Sequence, residues 1–137
     1  NHIVDEEKLK IVFNKISLFT NIGGLFIFDV NTDYKHRNIL ADNTFVYETD
    51  DVFCVWQNSF NEKTNSVCIN LDFFKKHKNY YIRSSESFYE KTYSFELLNS
   101  LLEESGFEVL AVYEGDTFDS VKADTERAVY VAKKVRQ

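Results

Sequence analysis

Apolar and polar positions along the chain follow two periods in turn. Leu9, Val12, Phe13, Ile16 and Phe19 recur at helical spacing and predict an amphipathic helix from Asp5 to about Asn21. Asp5 suits its N-cap, and Glu6 and Glu7 place negative charge in the first turn, where the helix dipole favours it. The unbroken run Leu25–Val30 after Gly23-Gly24 reads as a fully buried parallel-sheet strand with a neighbour on each edge and cover on both faces. Only a helix precedes it, so it resembles the closing strand of a crossover unit whose opening strand is missing. From Asn43 to Glu86 the period drops to two. Phe45–Glu48, Phe53–Asn58, Val67–Phe73 and Tyr80–Arg83 then predict an antiparallel meander of three or four strands. Helical spacing returns with Ser94 as cap and Phe95, Leu98, Leu101 and Leu102 as the inward stripe, closed by Gly106 in left-handed conformation. Phe107–Tyr113 and Arg127–Lys133 are the last two strands.

A chain of 137 residues, 44% hydrophobic, is large enough to bury a core without disulfides or metals. Thirteen Phe, eight Tyr and one Trp are dense enough to stiffen cross-strand pairs and to wall a pocket. The net charge of −6 argues against a nucleic-acid partner, which needs a basic stripe. The basic cluster Lys75-Lys76-His77-Lys78 falls where a hairpin turn is expected and reads as a solvated turn. No apolar run approaches the roughly twenty residues of a membrane span, and no charged-then-apolar leader is seen, so a cytoplasmic protein is expected. The lack of methionine fits a chain that does not begin at its translation start; a trimmed or mature secreted form gives the same observation. Cys54 and Cys68 fall on neighbouring predicted strands and read as buried thiols, or as a cross-strand disulfide in a secreted chain. His2, His36 and His77 lie far apart in sequence, and His36 beside Asp29 and Asp33 is too sparse a set for a metal. Asp29 reads as a brace for the loop after its strand.

Several strings, in order, resemble the C-terminal half of a class I S-adenosylmethionine-dependent methyltransferase, of the small-molecule type with an antiparallel flap after the fifth strand. They are Gly23–Thr32, Asp51–Asn58, Tyr93–Leu98, Leu101–Phe107 and Glu126–Lys134, and Asn1-His2-Ile3 resembles the end of the stretch after the fourth strand. The resemblance implies an α/β fold: a partial Rossmann-like sheet ordered fifth, seventh, sixth strand, with flanking helices and an inserted β-meander. It divides residues 1–137 into a helix, fifth strand and loop (1–42), a flap (43–86), and a helix with the last two strands (87–137). It also implies S-adenosylmethionine as cofactor, bound mainly by a missing N-terminal half, and a small-molecule methyl acceptor. The family's glycine loop and ribose-binding acid are not found; the four glycines include no Gly-x-Gly. Many relatives carry Glu-x-His-x-Glu-Arg-x-Tyr where this chain has Glu86-Ser87-Phe88-Tyr89-Glu90-Lys91-Thr92-Tyr93, so Phe88 stands at the histidine position and Lys91 at the arginine position.

Methyl transfer from a sulfonium needs little acid–base help, so no catalytic residue is singled out. The substrate-side candidates are Tyr34 beyond the fifth strand, Trp56, Tyr81 and Arg83 in the flap, and Tyr93 in the closing motif. All but Tyr93 have a plainer reading: a loop aromatic for Tyr34, flap packing for Trp56, a surface pair for Tyr81 and Arg83. The segment alone is expected to be inactive, and its unpaired strand 25–30 to drive homodimer formation. A stand-alone ligand- or protein-binding module is the alternative.

Overall fold

A computed structural model describes residues 1–136. Helix α1 (Glu6–Phe19) leads to strand β1 (Leu25–Asn31) and a π-helical turn, Lys35–Leu40. Strands β2 (Thr44–Glu48), β3 (Val52–Asn61), β4 (Ser66–His77) and β5 (Tyr80–Lys91) follow, then α2 (Phe95–Glu104), β6 (Phe107–Glu114) and β7 (Arg127–Lys134). The caps stand where the sequence places them. Asp5 accepts from the Lys8 N–H at 3.1 Å, and Ser94 Oγ accepts from the Leu97 N–H at 3.2 Å. Gly106 adopts φ +86°, as a left-handed helix stop requires.

Two sheets form. One has the order β1-β7-β6 with β7 antiparallel to both neighbours, which leaves β1 and β6 parallel to each other. The other is a four-stranded antiparallel meander, β2-β3-β4-β5, here called the flap. Both helices cover one face of the first sheet. Leu9 and Phe13 from α1 and Leu98, Leu101 and Leu102 from α2 meet Phe107, Ala128, Tyr130 and Ala132. Phe26 and Phe28 join them from β1, Phe28 stacking on Tyr130 at 5.0 Å. Lys134 is buried and donates through Nζ to the Ser17 carbonyl, satisfying the C-terminal end of α1 with a cation, the charge that end favours. A smaller core holds the flap, with Leu40 of the π-turn against Val67 and Ile69 of β4.

Four expectations change. The sheet order is the one the resemblance implies, with β1 antiparallel to β7 and paired on that side only among the described residues, but β1 is not the fully buried strand its apolar run suggests. Leu25 and Ile27 are 56% and 58% exposed, because the face holding Ile27, Val131 and Ala111 in one cross-strand row carries no helix among those residues. Second, β5 runs on to Lys91, so the flap reaches past Glu86; the register with β4 holds as far as Ser66↔Lys91. Third, the segment read as a loop after β1 forms the π-turn. Thr32 starts it, accepting at Oγ1 from the Lys35 N–H at 3.2 Å and at its carbonyl from the His36 N–H at 3.2 Å. Last, Cys54 and Cys68 are the free thiols expected rather than a disulfide, but they are half-buried, not buried. Cys54 pairs with Phe73 and Cys68 with Ser59, so the two lie several residues apart along the ladder and on opposite faces.

Candidate functional site

β1 delivers its last residues to the junction between the two sheets, and the side chains gathered there form a largely buried polar cluster. Its centre is Glu90, on the one stretch of β5 that is buried. Glu90 Oε2 lies 3.2 Å from Nε2 of His36 and accepts from the Asn31 amide at 3.1 Å. Its other oxygen, Oε1, is 3.5 Å from Nε2 of His2. Hydrogen bonding from His36 holds the Glu90 carboxyl below the usual glutamate range, against the opposing effect of burial, and Asn31 and His2 reinforce it. A carboxylate only accepts, so the His36 nitrogen facing it carries the proton. That leaves Nδ1 of His36 buried and without a partner among the described residues.

The π-turn explains how His36 arrives there. A π-turn shifts the side-chain direction relative to an α-helix, and such turns frequently mark functional sites. Here it turns His36 and Leu40 inward, both buried, while Arg37 stays outside. Arg37 donates to Asp33 at 2.7 Å and to Asn65 at 2.8 Å, and lies over the Phe60 ring, pinning the turn to the flap. Asn31, at the end of β1, ties the cluster to the chain's first residue. Asn1 accepts from the Asn31 N–H at 2.7 Å and donates to the carbonyls of Asn31 and Lys91 at 3.0 and 3.1 Å.

Beside this cluster a cavity of about 440 Å³ opens beyond the carboxyl end of β1, lined by Asn31, Tyr34, Asn38, Tyr93 and Glu96 among others. Open α/β sheets bind their ligands in that position. Tyr34 and Tyr93 therefore share one cavity. The Tyr93 hydroxyl donates to the Ile3 carbonyl at 2.6 Å; burial, with Glu6 and Asp5 nearby, pushes its pKa up to about 12. It acts as a neutral donor.

The other three sequence candidates stand elsewhere. Trp56 packs into the flap core beside Phe45, and its indole N–H donates to Asn58 at 2.6 Å. Tyr81 and Arg83 share the opposite face of the flap from Trp56, since the register pairs Trp56 with Leu71 and Glu86 but Phe74 with Arg83. Arg83 donates to Asp72 at 2.8 and 3.0 Å, and Ser85, then Arg83, hold the Asp72 carboxyl below its usual range. Tyr81 adjoins Glu48, Phe53 and Phe74 in a separate shallow cleft at the flap tip. Asp29 lies 3.9 Å from Arg127 on β7 and braces that side of the sheet. Sequence reasoning missed the His2–Glu90–His36 convergence. The three residues are spread over the whole chain, and the one visible signal is Glu90 in the string before Tyr93.

Among the described residues no group of three His, Cys, Asp or Glu side chains could hold a metal. No helix among them is long and apolar enough to cross a membrane. The glycines do not fit a cofactor loop. Gly23 and Gly24 end the turn before β1, Gly106 ends α2 and Gly115 lies in the turn after β6, so none opens a helix after a strand. The described residues thus hold no glycine-rich loop between a strand and a helix.

No family model matches the chain. Two curated bacterial relatives, both named putative methyltransferase, match it nearly end to end. One, from Geobacillus sp. (strain WCH70), is 28% identical over 135 residues, 98% of this chain and 55% of the relative. The other, from Bacillus subtilis (strain 168), is 27% identical over 134 residues, 98% of this chain and 54% of the relative. The crystal structure of a S-adenosylmethionine-dependent methyltransferase from Clostridium acetobutylicum ATCC 824 superposes with a TM-score of 0.90 at 32% identity, over 99% of this chain and 55% of that one. The chain spans about half the length of the relatives it matches. In sequence and in fold it is similar throughout to the C-terminal half of a class I S-adenosylmethionine-dependent methyltransferase.

Proposed function

We propose that this chain is the substrate-side half of a bacterial, cytoplasmic methyltransferase. It carries the flap and part of the sheet, while a second half binds S-adenosylmethionine and completes the fold. The observation that carries this reading is the open edge of β1. Along an antiparallel strand, backbone groups point alternately to its two neighbours. The Lys134 N–H donates to the Gly24 carbonyl and, at the other end, the Thr32 N–H donates to the Glu126 carbonyl, so the even positions of β1 face β7. Leu25, Ile27 and Asp29 therefore present their N–H and C=O groups to the free edge. At the end of that edge the Asn1 side chain already takes the two Asn31 backbone groups. An apolar strand laid along this edge satisfies the ladder and covers Leu25 and Ile27. Tyr34 and Tyr93 then border the small-molecule acceptor, while Trp56 stiffens the flap from its core.

Titration calorimetry tests this. The chain alone is expected to show no micromolar binding of S-adenosylmethionine, and a polypeptide extended by the coding sequence upstream of Asn1 is expected to bind it. Micromolar binding by the chain alone overturns the division of labour.

The same edge gives a second expectation. Alone, the chain self-associates through strand 25–30, and Ile27→Lys, which places a charge on that ribbon, shifts it toward monomer. Light scattering showing the unsubstituted chain monomeric at high concentration contradicts this.

A further inference from the structure

We propose that two copies of this chain pair their β5 strands antiparallel about a twofold axis at Ser85, joining the two four-stranded flaps into one continuous sheet. The inference does not rest on the methyltransferase reading, and it concerns a different edge from β1.

The two edges of the flap are unlike. β2 has five residues, ends at Glu48 and is followed by Asp50 and Asp51, a short charged edge of the kind that resists pairing. β5 has twelve residues, with no proline and no lysine before Lys91. Tyr81, Ile82 and Tyr89 are more than half exposed along it.

The backbone of β5 opens outward at its odd positions. The Lys91 N–H donates to the Asn1 carbonyl at 2.9 Å and the Lys91 carbonyl accepts from the Asn1 amide at 3.1 Å, both outside the flap sheet. The Thr92 N–H turns the other way, to the Asn65 carbonyl just ahead of β4. Backbone groups alternate along an antiparallel strand, so Tyr81, Arg83, Ser85, Ser87 and Tyr89 present theirs to the free edge. Among the described residues no strand pairs with them.

Side-chain pattern selects the partner and the register. Opposed residues of such a pair share a face of the sheet, so a twofold axis passes through a residue, not between two. An axis at Arg83 or Glu86 sets like charges against each other. An axis at Ser84 or Ser87 sets Glu86 against Ile82 or Phe88, and axes nearer either end shorten the pairing. The axis at Ser85 sets Tyr81 against Tyr89 and Ile82 against Phe88, each twice, with Arg83 facing Ser87 and Glu86 facing Ser84. Asp72 of the same chain already holds Arg83 at 2.8 Å, so it brings no unpaired charge to the seam.

Cross-linking reads the register. With Cys54→Ser and Cys68→Ser removing the native thiols, Ser85→Cys puts two Cα atoms about 5.5 Å apart, and mild oxidation is expected to give covalent dimers. The two copies of residue 87 stand four positions out of register, about 13 Å apart, so Ser87→Cys in the same background is expected to cross-link little. No covalent dimer from Ser85→Cys, or as much from Ser87→Cys, overturns the proposal.

Sedimentation reads the strength. The Ile27→Lys chain, its β1 ribbon charged, is expected to retain dimers. In that background Ser85→Pro removes an outward N–H while leaving the ladder to β4 intact. Tyr89→Lys, on the exposed outer face, removes both Tyr81–Tyr89 pairs. Each is expected to weaken the dimer about tenfold. An Ile27→Lys chain that is monomeric at high concentration, or a Tyr89→Lys dimer as tight as its parent, overturns it.

Discussion

Replacing Gly106 with alanine is expected to destabilise the chain by about 3 kcal/mol, a large share of the stability of a domain this size. Two effects add. At φ +86° a Cβ approaches its own chain, costing roughly 1–2 kcal/mol. That Cβ also lies 2.6 Å from the Arg136 carbonyl oxygen, which is backbone and cannot step aside. The close approach is part of the fold, because the Gly106 carbonyl accepts from the N–H groups of Val135 and Arg136 at 3.0 and 3.3 Å. The strand pair β6–β7 is thereby locked to the end of α2. Gly115 is the control: its φ is +48°, but a Cβ there meets nothing within 4 Å. Chemical denaturation should show Gly115→Ala costing no more than half of what Gly106→Ala costs; equal losses refute the steric argument.

Glu90→Ala should be of similar size, about 3 kcal/mol, because it removes one partner of a buried pair and leaves the His36 N–H and the Asn31 amide without their acceptor. Replacing both partners, as in Glu90→Leu with His36→Leu, is expected to recover much of the loss, since no orphaned polar group then remains at either position. The pH dependence has a definite sign. The folded-state pKa of Glu90 lies below its unfolded value. Its contribution is therefore complete above the unfolded value and disappears as pH falls through the lowered folded value. The unsubstituted chain should lose stability on acidification across that window, and Glu90→Gln should show a flatter profile there and lower stability at neutral pH. Parallel profiles would mean that Glu90 is not the ionised hub of the cluster.

Much of the fold was legible in local pattern. Asp5, Ser94 and Gly106 announced the helix limits through capping chemistry that acts over three or four residues, and all three stand where expected. Alternation announced the flap strands, because a half-buried antiparallel strand shows its two faces in its own sequence. Local pattern failed where neighbours decide. The run Leu25–Phe28 is apolar throughout, which suits burial on both faces, yet Leu25 and Ile27 stand exposed because β1 pairs only with β7 among the described residues. Periodicity records what a strand is built to meet; it does not say which chain supplies the partner. The π-turn was illegible for a related reason. Lys35–Leu40 has no distinctive composition, and its widened turn depends on Thr32 just ahead of it and on Arg37 anchored to Asp33 and Asn65.

The candidate site divides the same way. Tyr34 and Tyr93 were readable from their positions at an element end and in a closing motif, and they share the cavity beyond β1. Trp56 was legible as part of the flap, but only the register shows that it and the Tyr81–Arg83 pair occupy opposite faces. The sequence by itself determined the helices, their caps, the flap's alternation and the order in which the elements follow. Tertiary structure alone brought His2, His36 and Glu90 within contact distance, because those three are separated by 34 and 54 residues and no local rule spans such gaps. Their meeting depends on Asn1 clasping the ends of β1 and β5, and on the π-turn facing His36 inward. Side chains so far apart along a chain become neighbours only when the strands that carry them pair and pack, and that is a property of the whole fold.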